Sequence, residues 1–205
     1  MKYIDLTQTF VDNMPVYFGD PPTSLKQITT IAKNGYTDHQ LTTVMHVGTH
    51  MDAPLHMIEG GAYISDISVE HFTGAGVCID VRGKKVIDAD DIPKEIPAEA
   101  IVLLCTGMSA QYGQDTYATE YPKISDAFAQ KLVSLNVKIL GIDMLNPDTS
   151  ESYPIHKILL AKPVLIIENL TNLESLLGVK QFDIYAFPMK LHAEGAPVRV
   201  VARIP

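Results

Sequence analysis

The sequence predicts a mixed α/β fold in one domain that spans residues 1–205. Two observations support it: the first half is rich in strand-forming segments, and in the second half strands alternate with helices. The hydrophobic fraction of 46%, against 20% charged residues, is enough for a sizeable core in a chain of this length. Because neither an internal repeat nor a linker divides the sequence, we expect a single mixed sheet with helices packed on it.

Three segments of the first half have the composition of strands. Residues 41–46 are rich in Thr and Val, which suit a half-buried pleated surface. Residues 76–81 and 100–105 are short apolar runs bounded by Gly, Pro or charge, so we expect strands buried on both faces. Turn-forming residues predict loops over 15–22, 60–61 and 107–121.

The second half alternates between helix and strand signals. Ser125 is a good N-cap for a helix that runs to about Asn136, with Phe128, Leu132 and Leu135 on one face. Short helices are predicted over 154–160 and 172–177, and strands over 138–142, 164–168, 184–187 and 198–204.

Charge and hydropathy exclude two classes of partner. The net charge of −8 and the absence of a Lys/Arg cluster argue against a nucleic-acid-binding protein, which needs a basic surface. No segment approaches the roughly 20 apolar residues that a membrane span requires, and the first residues do not resemble a signal peptide. Cys78 and Cys105 each lie inside an apolar run, which is typical of buried thiols. We therefore expect a cytoplasmic protein that binds a small-molecule substrate.

The segment from His46 to His56 contains the strongest chemical signal. It holds three of the seven histidines and one aspartate. A lone histidine is usually structural, but His50 and Asp52 are two apart and would point to the same side of a strand. Gly48 allows the chain to turn between His46 and His50. Imidazoles and a carboxylate that converge in this way suit a Zn, Mn or Fe ion.

Two residues far downstream are candidate partners for this cluster. His156 begins an apolar helix, and Glu168 ends the apolar run 164–167. A carboxylate at that position is either a solvated strand end or a ligand at the carboxyl edge of a sheet, where sites in α/β proteins collect. Taken alone, Glu168 fits the first interpretation better; beside the histidine cluster, the second gains weight.

The string His-x-Gly-Thr-His-x-Asp-x-Pro-x-His, from His46 to His56, resembles the signature of the cyclase family, which includes bacterial kynurenine formamidases and isatin hydrolase. Further similarity covers most of the chain, at residues 14–21, 106–107, 141–143, 155–156, 165–170, 188 and 195–199. The resemblance implies a swivelling β/β/α fold and hydrolysis of an amide or lactam at a metal centre.

The resemblance also assigns roles to individual residues. It implies a cage for two divalent metal ions, with zinc expected and manganese or iron as alternatives. His46, His50 and Asp52 would bind the first ion, with Asp52 placed to bridge. His156 and Glu168 would bind the second. A sixth residue, the catalytic histidine that does not bind metal, corresponds to His56.

Three functions follow as alternatives. The leading one is cleavage of an N-formyl aryl amine of the N-formylkynurenine type by a metal-bound hydroxide. The second is hydrolysis of a cyclic amide such as isatin or another lactam. The third is a non-catalytic metal-binding protein, although such a protein would not need His56.

Candidate substrate contacts are Tyr17, Phe18 and His192. Kynurenine formamidases commonly have a tryptophan where Tyr17 and Phe18 stand, and this chain has no Trp, which favours a different or smaller ligand. The family resemblance also implies a homo-oligomer, either a dimer or a tetramer.

Overall fold

The computed structural model describes residues 1–205 and contains twelve strands and four helices. The strands are β1 (Lys2–Asp5), β2 (Ser24–Thr29), β3 (Asp38–Thr42), β4 (His50–Asp52), β5 (Thr73–Asp80), β6 (Val86–Ile87), β7 (Ile101–Cys105), β8 (Lys123–Ile124), β9 (Ile139–Ile142), β10 (Leu165–Glu168), β11 (Asp183–Pro188) and β12 (Gly195–Ile204). The helices are α1 (Ile31–Asn34), α2 (Asp115–Thr119), α3 (Asp126–Ser134) and α4 (Pro154–Leu160). None of these helices is long and apolar enough to span a membrane.

The main sheet closes into a barrel. Its strand order is β1-β12-β11-β5-β7-β9-β10-β4, and β4 also pairs with β12. Strand β12 makes this closure possible, because its first residues pair with β4 and its last residues pair with β1. β5, β7, β9 and β10 run parallel to one another, whereas the other pairings are antiparallel. The predicted mixed α/β fold is confirmed.

The central parallel strands are buried on both faces. Along β7, Ile101 and Leu103 point into the barrel, while Val102 and Leu104 point toward the helices. Helix α3 packs on that outer face through Phe128, which is fully buried. Replacing such a phenylalanine with alanine costs about 3–5 kcal/mol of stability. The apolar runs in the sequence therefore form strands that contribute to both parts of the core, inside the barrel and between the sheet and the helices.

Three predicted elements differ from the structure. The predicted strand 41–46 is wrong beyond Thr42, because β2, the partner of β3, begins at Ser24, directly opposite Thr42. The predicted loop 107–121 contains helix α2. The predicted helix 172–177 is only a 3-10 turn, Leu173–Leu176, because the backbone becomes extended at Leu177 (φ −64°, ψ 129°). The predicted cap at Ser125 is present, as its Oγ accepts the backbone N–H of Phe128.

Strands β2 and β3, with α1 between them, form a separate two-stranded arm over residues 24–42. Most of its side chains are exposed, including Ile28, Ile31, Tyr36 and Leu41. An isolated two-stranded hairpin is marginally stable in water. The single chain therefore leaves this arm without a packed apolar face.

Candidate metal centre

Two adjacent strands carry the first ligand candidates. β4 pairs antiparallel with β10, and this register places His50 directly opposite Glu168. Asp52 is two residues beyond His50 on the same strand, so both side chains point to one face of the sheet. All three residues are buried. The pairing of a short motif strand with a distant apolar strand thus brings two carboxylates and an imidazole together.

His46 joins this group from the loop before β4. Its Nδ1 lies 2.8 Å from Oδ1 of Asp52. Space for the ring depends on Gly195 of β12, which pairs with Asp52. A Cβ atom at Gly195 would lie 2.8 Å from the carbonyl oxygen of Met51 and 3.1 Å from Cε1 of His46. Only glycine lets β12 approach the motif this closely.

Helix α4 contributes His156. Its Nε2 lies 3.5 Å from Oδ2 of Asp52 and 3.4 Å from Oε1 of Glu168. Its other ring nitrogen, Nδ1, donates to Oδ2 of Asp148 at 2.7 Å. Asp148 also accepts the backbone N–H groups of Ile155 and His156. This carboxylate fixes the ring and leaves Nε2 facing the other two carboxylates, the arrangement typical of metal-binding histidines.

His50 is oriented in a similar way by a backbone group. Its Nδ1–H donates to the carbonyl oxygen of Gly48 at 2.9 Å. Nε2 then lies 3.5 Å from Oδ1 of Asp52 and 3.4 Å from Oε2 of Glu168. The two carboxylates therefore lie between the imidazoles of His50 and His156.

The chemistry of these donors fits a divalent cation. Nε2 of His46, Nε2 of His50 and Oδ2 of Asp52 are buried and have no hydrogen-bond partner within the chain. A buried polar group without a partner costs about 1–3 kcal/mol, and a cation would remove that cost for all three. The candidate ligand atoms form two groups, each within 4.8 Å: one of His46, Asp52 and His56, the other of His50, Asp52 and Glu168. Asp52 is common to both groups.

The pKa values reflect this concentration of carboxylates and imidazoles. Burial by itself would raise the pKa of Asp52, but the imidazoles of His156 and His46 beside it hold that pKa well below its usual range. Burial lowers the pKa of His46, yet the hydrogen bond to Asp52 outweighs it and raises the pKa to about 9. Burial raises the pKa of Glu168. In the metal-free chain, a proton on His46 thus balances part of the charge that a cation would otherwise balance.

His56 differs from the other imidazoles of the site. It ends the 3-10 turn Pro54–His56, and its ring stacks on that of His46 with centroids 4.0 Å apart. Burial lowers the pKa of His56 to about 4. The ring is therefore neutral near pH 7.

A cavity of about 180 Å³ adjoins the cage. Its wall includes Tyr17 and Tyr153, whose hydroxyl oxygens lie 3.5 Å apart. Tyr17, a predicted substrate contact, thus lines this cavity. The two other predicted contacts are not in its wall: Phe18 is 98% exposed, and His192 stacks on Tyr63. Both belong to surface segments that do not reach the cavity in one chain.

Several site residues were not found from the sequence. Asp148, Tyr153 and Asn169 all contact the site, but none belongs to a short motif that contains histidine. The only sequence signal for Asp148 and Tyr153 is that they lie within eight residues before His156. The five predicted ligands and His56, by contrast, are all brought together.

Comparisons with known proteins agree with this geometry. Residues 4–149 match the family model described as "Putative cyclase". The chain is 29% identical to the kynurenine formamidase of Geobacillus thermodenitrificans, over 98% of this chain and 97% of that protein. A solved structure described as a "predicted metal-dependent hydrolase" from Bacillus stearothermophilus is 31% identical, with a TM-score of 0.78 over 98% of this chain and 97% of that one.

Isatin hydrolase A from Ralstonia solanacearum is 25% identical, with a TM-score of 0.88 over 100% of this chain and 92% of that chain. The swivelling fold that the motif implied is therefore confirmed by solved structures. The family match covers more than half of the sequence and includes the complete histidine motif. The chain belongs to the cyclase family of metal-dependent hydrolases.

Proposed function

We propose that this hydrolase, which acts on carbon–nitrogen bonds, removes the formyl group from an N-formyl aryl amine of the N-formylkynurenine type. The observation that carries the proposal is the cage of three imidazoles and two carboxylates, with unpartnered buried donor atoms, beside a cavity and a neutral histidine. Similarity to a kynurenine formamidase over nearly the whole chain supports the same reaction class.

The cage suits two ions, of which zinc fits the mixed nitrogen and oxygen donors and manganese or iron would also be accepted. His46, His50 and Asp52 would hold one ion, and His156 and Glu168 would hold the other. Asp52 lies within 3.5 Å of imidazole nitrogens of both sets. When bound, such ions lower the pKa of water from about 15.7 to near 7 and polarise the substrate carbonyl.

His56 is the residue best placed to move protons. It is neutral near pH 7 because burial lowers its pKa to about 4, and its ring faces His46 and His156 at the edge of the cage. It would accept a proton from the attacking water and return it to the nitrogen of the departing amine. General acid–base help of this kind is typically worth about 10²–10⁴-fold in rate.

The cavity favours a small aromatic substrate. At about 180 Å³ it is smaller than the pockets of 300–1,000 Å³ that hold drug-sized ligands. Tyr17 and Tyr153 provide flat walls, and their hydroxyl groups supply polar contacts. A single aryl ring that carries a formamide meets these constraints.

Hydrolysis of a cyclic amide is the second candidate, favoured by the similarity to isatin hydrolase A along the whole chain. A substrate panel separates the two. Metal-free protein is supplied with Zn²⁺ or Mn²⁺ and assayed with N-formylkynurenine, formanilide and isatin. We expect kcat/KM for a formyl amide to exceed that for isatin by at least about tenfold, which corresponds to roughly 1.4 kcal/mol.

The opposite preference would move the assignment to lactam hydrolysis. No turnover of any of the three amides, by protein shown to contain metal, would contradict the formamidase proposal and favour a metal-binding protein without this activity.

A further inference from the structure

The carbonyl oxygen of Gly48 accepts two hydrogen bonds that link the metal centre to the core. We propose that Asn169 and Tyr117 are positioning residues, which act through this carbonyl to hold His50 in the orientation that binds metal. The proposal rests on the metal centre assigned above and adds two residues to it that act on a metal ligand through another group.

The first step concerns His50. A carbonyl oxygen can only accept, so the contact at 2.9 Å requires the hydrogen of His50 to be on Nδ1. In that tautomer Nε2 carries no hydrogen and can bind a metal ion. This nitrogen faces Asp52 and Glu168. The direction of the Gly48 carbonyl therefore sets both the tautomer and the angle of the ring.

The second step concerns what fixes that carbonyl. Gly48 lies in a left-handed turn (φ +61°), a conformation that glycine does not hold rigidly by itself. The side chain of Asn169 donates from Nδ2 to the same oxygen at 3.1 Å. Asn169 follows Glu168 directly, and its own carbonyl accepts the hydroxyl of Thr49 at 2.7 Å. One buried residue thus ties the turn before β4 to the end of β10.

The third step concerns the amide of Asn169, which can be oriented in two ways. The hydroxyl of Tyr117 donates to Oδ1 of Asn169 at 2.7 Å, and this bond directs Nδ2 toward Gly48. Tyr117 comes from α2 and is buried. The hydrogen bonds form one directed chain: Tyr117 donates to Asn169, Asn169 donates to Gly48, and His50 donates to the same Gly48 oxygen.

Three variants test this chain of contacts. Tyr117→Phe removes only the hydroxyl, and Asn169→Gly removes the amide while tolerating the left-handed backbone of Asn169 (φ +57°). The control is Tyr112→Phe. The ring of Tyr112 packs 5.2 Å from that of Tyr117, and its hydroxyl is buried without a hydrogen-bond partner. The Tyr112→Phe variant therefore removes a tyrosine hydroxyl from the same part of the core and leaves the hydrogen bonds from Tyr117 to Gly48 intact.

Two readouts are measured, and neither is turnover. Zn²⁺ affinity of the metal-free protein is obtained by competition with a chromogenic chelator, and the His50 tautomer by ¹⁵N NMR. We expect Asn169→Gly to weaken Zn²⁺ binding by about 10–100-fold, the range found for partners of ligating histidines. Tyr117→Phe should fall between Asn169→Gly and Tyr112→Phe, and both positioning variants should shift His50 away from the pure Nδ1–H form.

Wild-type affinity and tautomer in folded Asn169→Gly would overturn the proposal. So would an equal loss in Tyr117→Phe and Tyr112→Phe, because it would trace the effect to core packing. If Asn169→Gly does not fold, the comparison of the two tyrosine variants decides alone. A wild-type chain that binds Zn²⁺ but cleaves no formyl amide would contradict the proposed function without touching this inference.

Discussion

The three histidines of the motif differ in their hydrogen-bond partners and in their pKa values. His50 donates to a backbone carbonyl and presents its free nitrogen to two carboxylates. His46 contacts Asp52 directly, which raises the pKa of His46 despite burial. His56 has no such partner among its close contacts, and burial lowers its pKa to about 4. Three residues of one type, within eleven positions, are thus suited to metal binding in two cases and to proton transfer in the third.

This difference predicts opposite behaviour for two alanine variants. His56→Ala should keep its metal but lose about 10²–10⁴-fold in kcat, because only the proton carrier is removed. Asp52→Ala should lose most of its metal, since Asp52 belongs to both groups of ligand atoms. Metal analysis of both purified proteins, together with kinetics on a formyl amide, checks this prediction. Equal loss of metal in the two variants would show that His56 is a ligand instead.

Residues that touch the metal centre through short motifs could be predicted from the sequence, whereas those that orient them could not. The motif places four such residues within eleven positions, and this spacing alone predicts a metal site: His46, His50, Asp52 and His56. Asp148 and the Tyr117–Asn169 pair act through hydrogen bonds between segments that only the fold brings together. No local pattern distinguishes such residues from ordinary polar positions. Residues that orient the ligands can therefore be identified only from the tertiary structure.

At the scale of elements, buried strands were easier to predict than the segments between them. The apolar runs that became β7, β9 and β10 carry their own signal, because burial on both faces demands continuous apolar sequence. β4 has only three residues, and what places it is pairing with β10 and β12. The strand predicted over residues 41–46 ended at Thr42 because its partner β2 begins opposite that residue. Short elements defined by tertiary pairing are therefore the ones that sequence patterns miss.

One contact between elements predicts a pH dependence of stability. His71, in the 3-10 turn Val69–Phe72, donates from Nε2 to the carbonyl oxygen of Lys138 at 3.1 Å, next to β9. Burial lowers the pKa of His71 below the ordinary value of 6.5. The unfolded chain therefore binds this proton more readily, and acid favours unfolding. Stability from this residue is complete above pH 6.5 and declines as the pH falls toward the folded pKa.

The matching variant is His71→Gln, which keeps a donor but does not titrate. We expect the free energy of unfolding of the wild type to fall more steeply than that of the variant between pH 7 and 5, by at most about 1.4 kcal/mol per pH unit. Urea unfolding of metal-free proteins at several pH values measures the difference. Parallel pH profiles for the two proteins would remove His71 as the cause.

At the scale of the whole molecule, the arm of residues 24–42 has few packing contacts with the rest of the chain. Its two strands pair only with each other, and Ile28 and Ile31 are 56% and 72% exposed. Full burial of one such side chain is worth about 1.5–3 kcal/mol, and a hairpin with neither face covered lacks this contribution. A second copy of the chain packed on the arm would supply it.

We therefore predict that the protein is a dimer or tetramer held together in part by the arm. Ile28→Glu should shift the assembly toward monomer, because it places a charge in the surface that must be desolvated. Val86→Glu is the matched control: Val86 is 51% exposed on β6, outside the arm, so the same kind of substitution should leave the assembly unchanged. Light scattering coupled to size-exclusion chromatography measures the mass of each protein. A monomeric wild type, or equal dissociation of both variants, would show that the arm is not the contact.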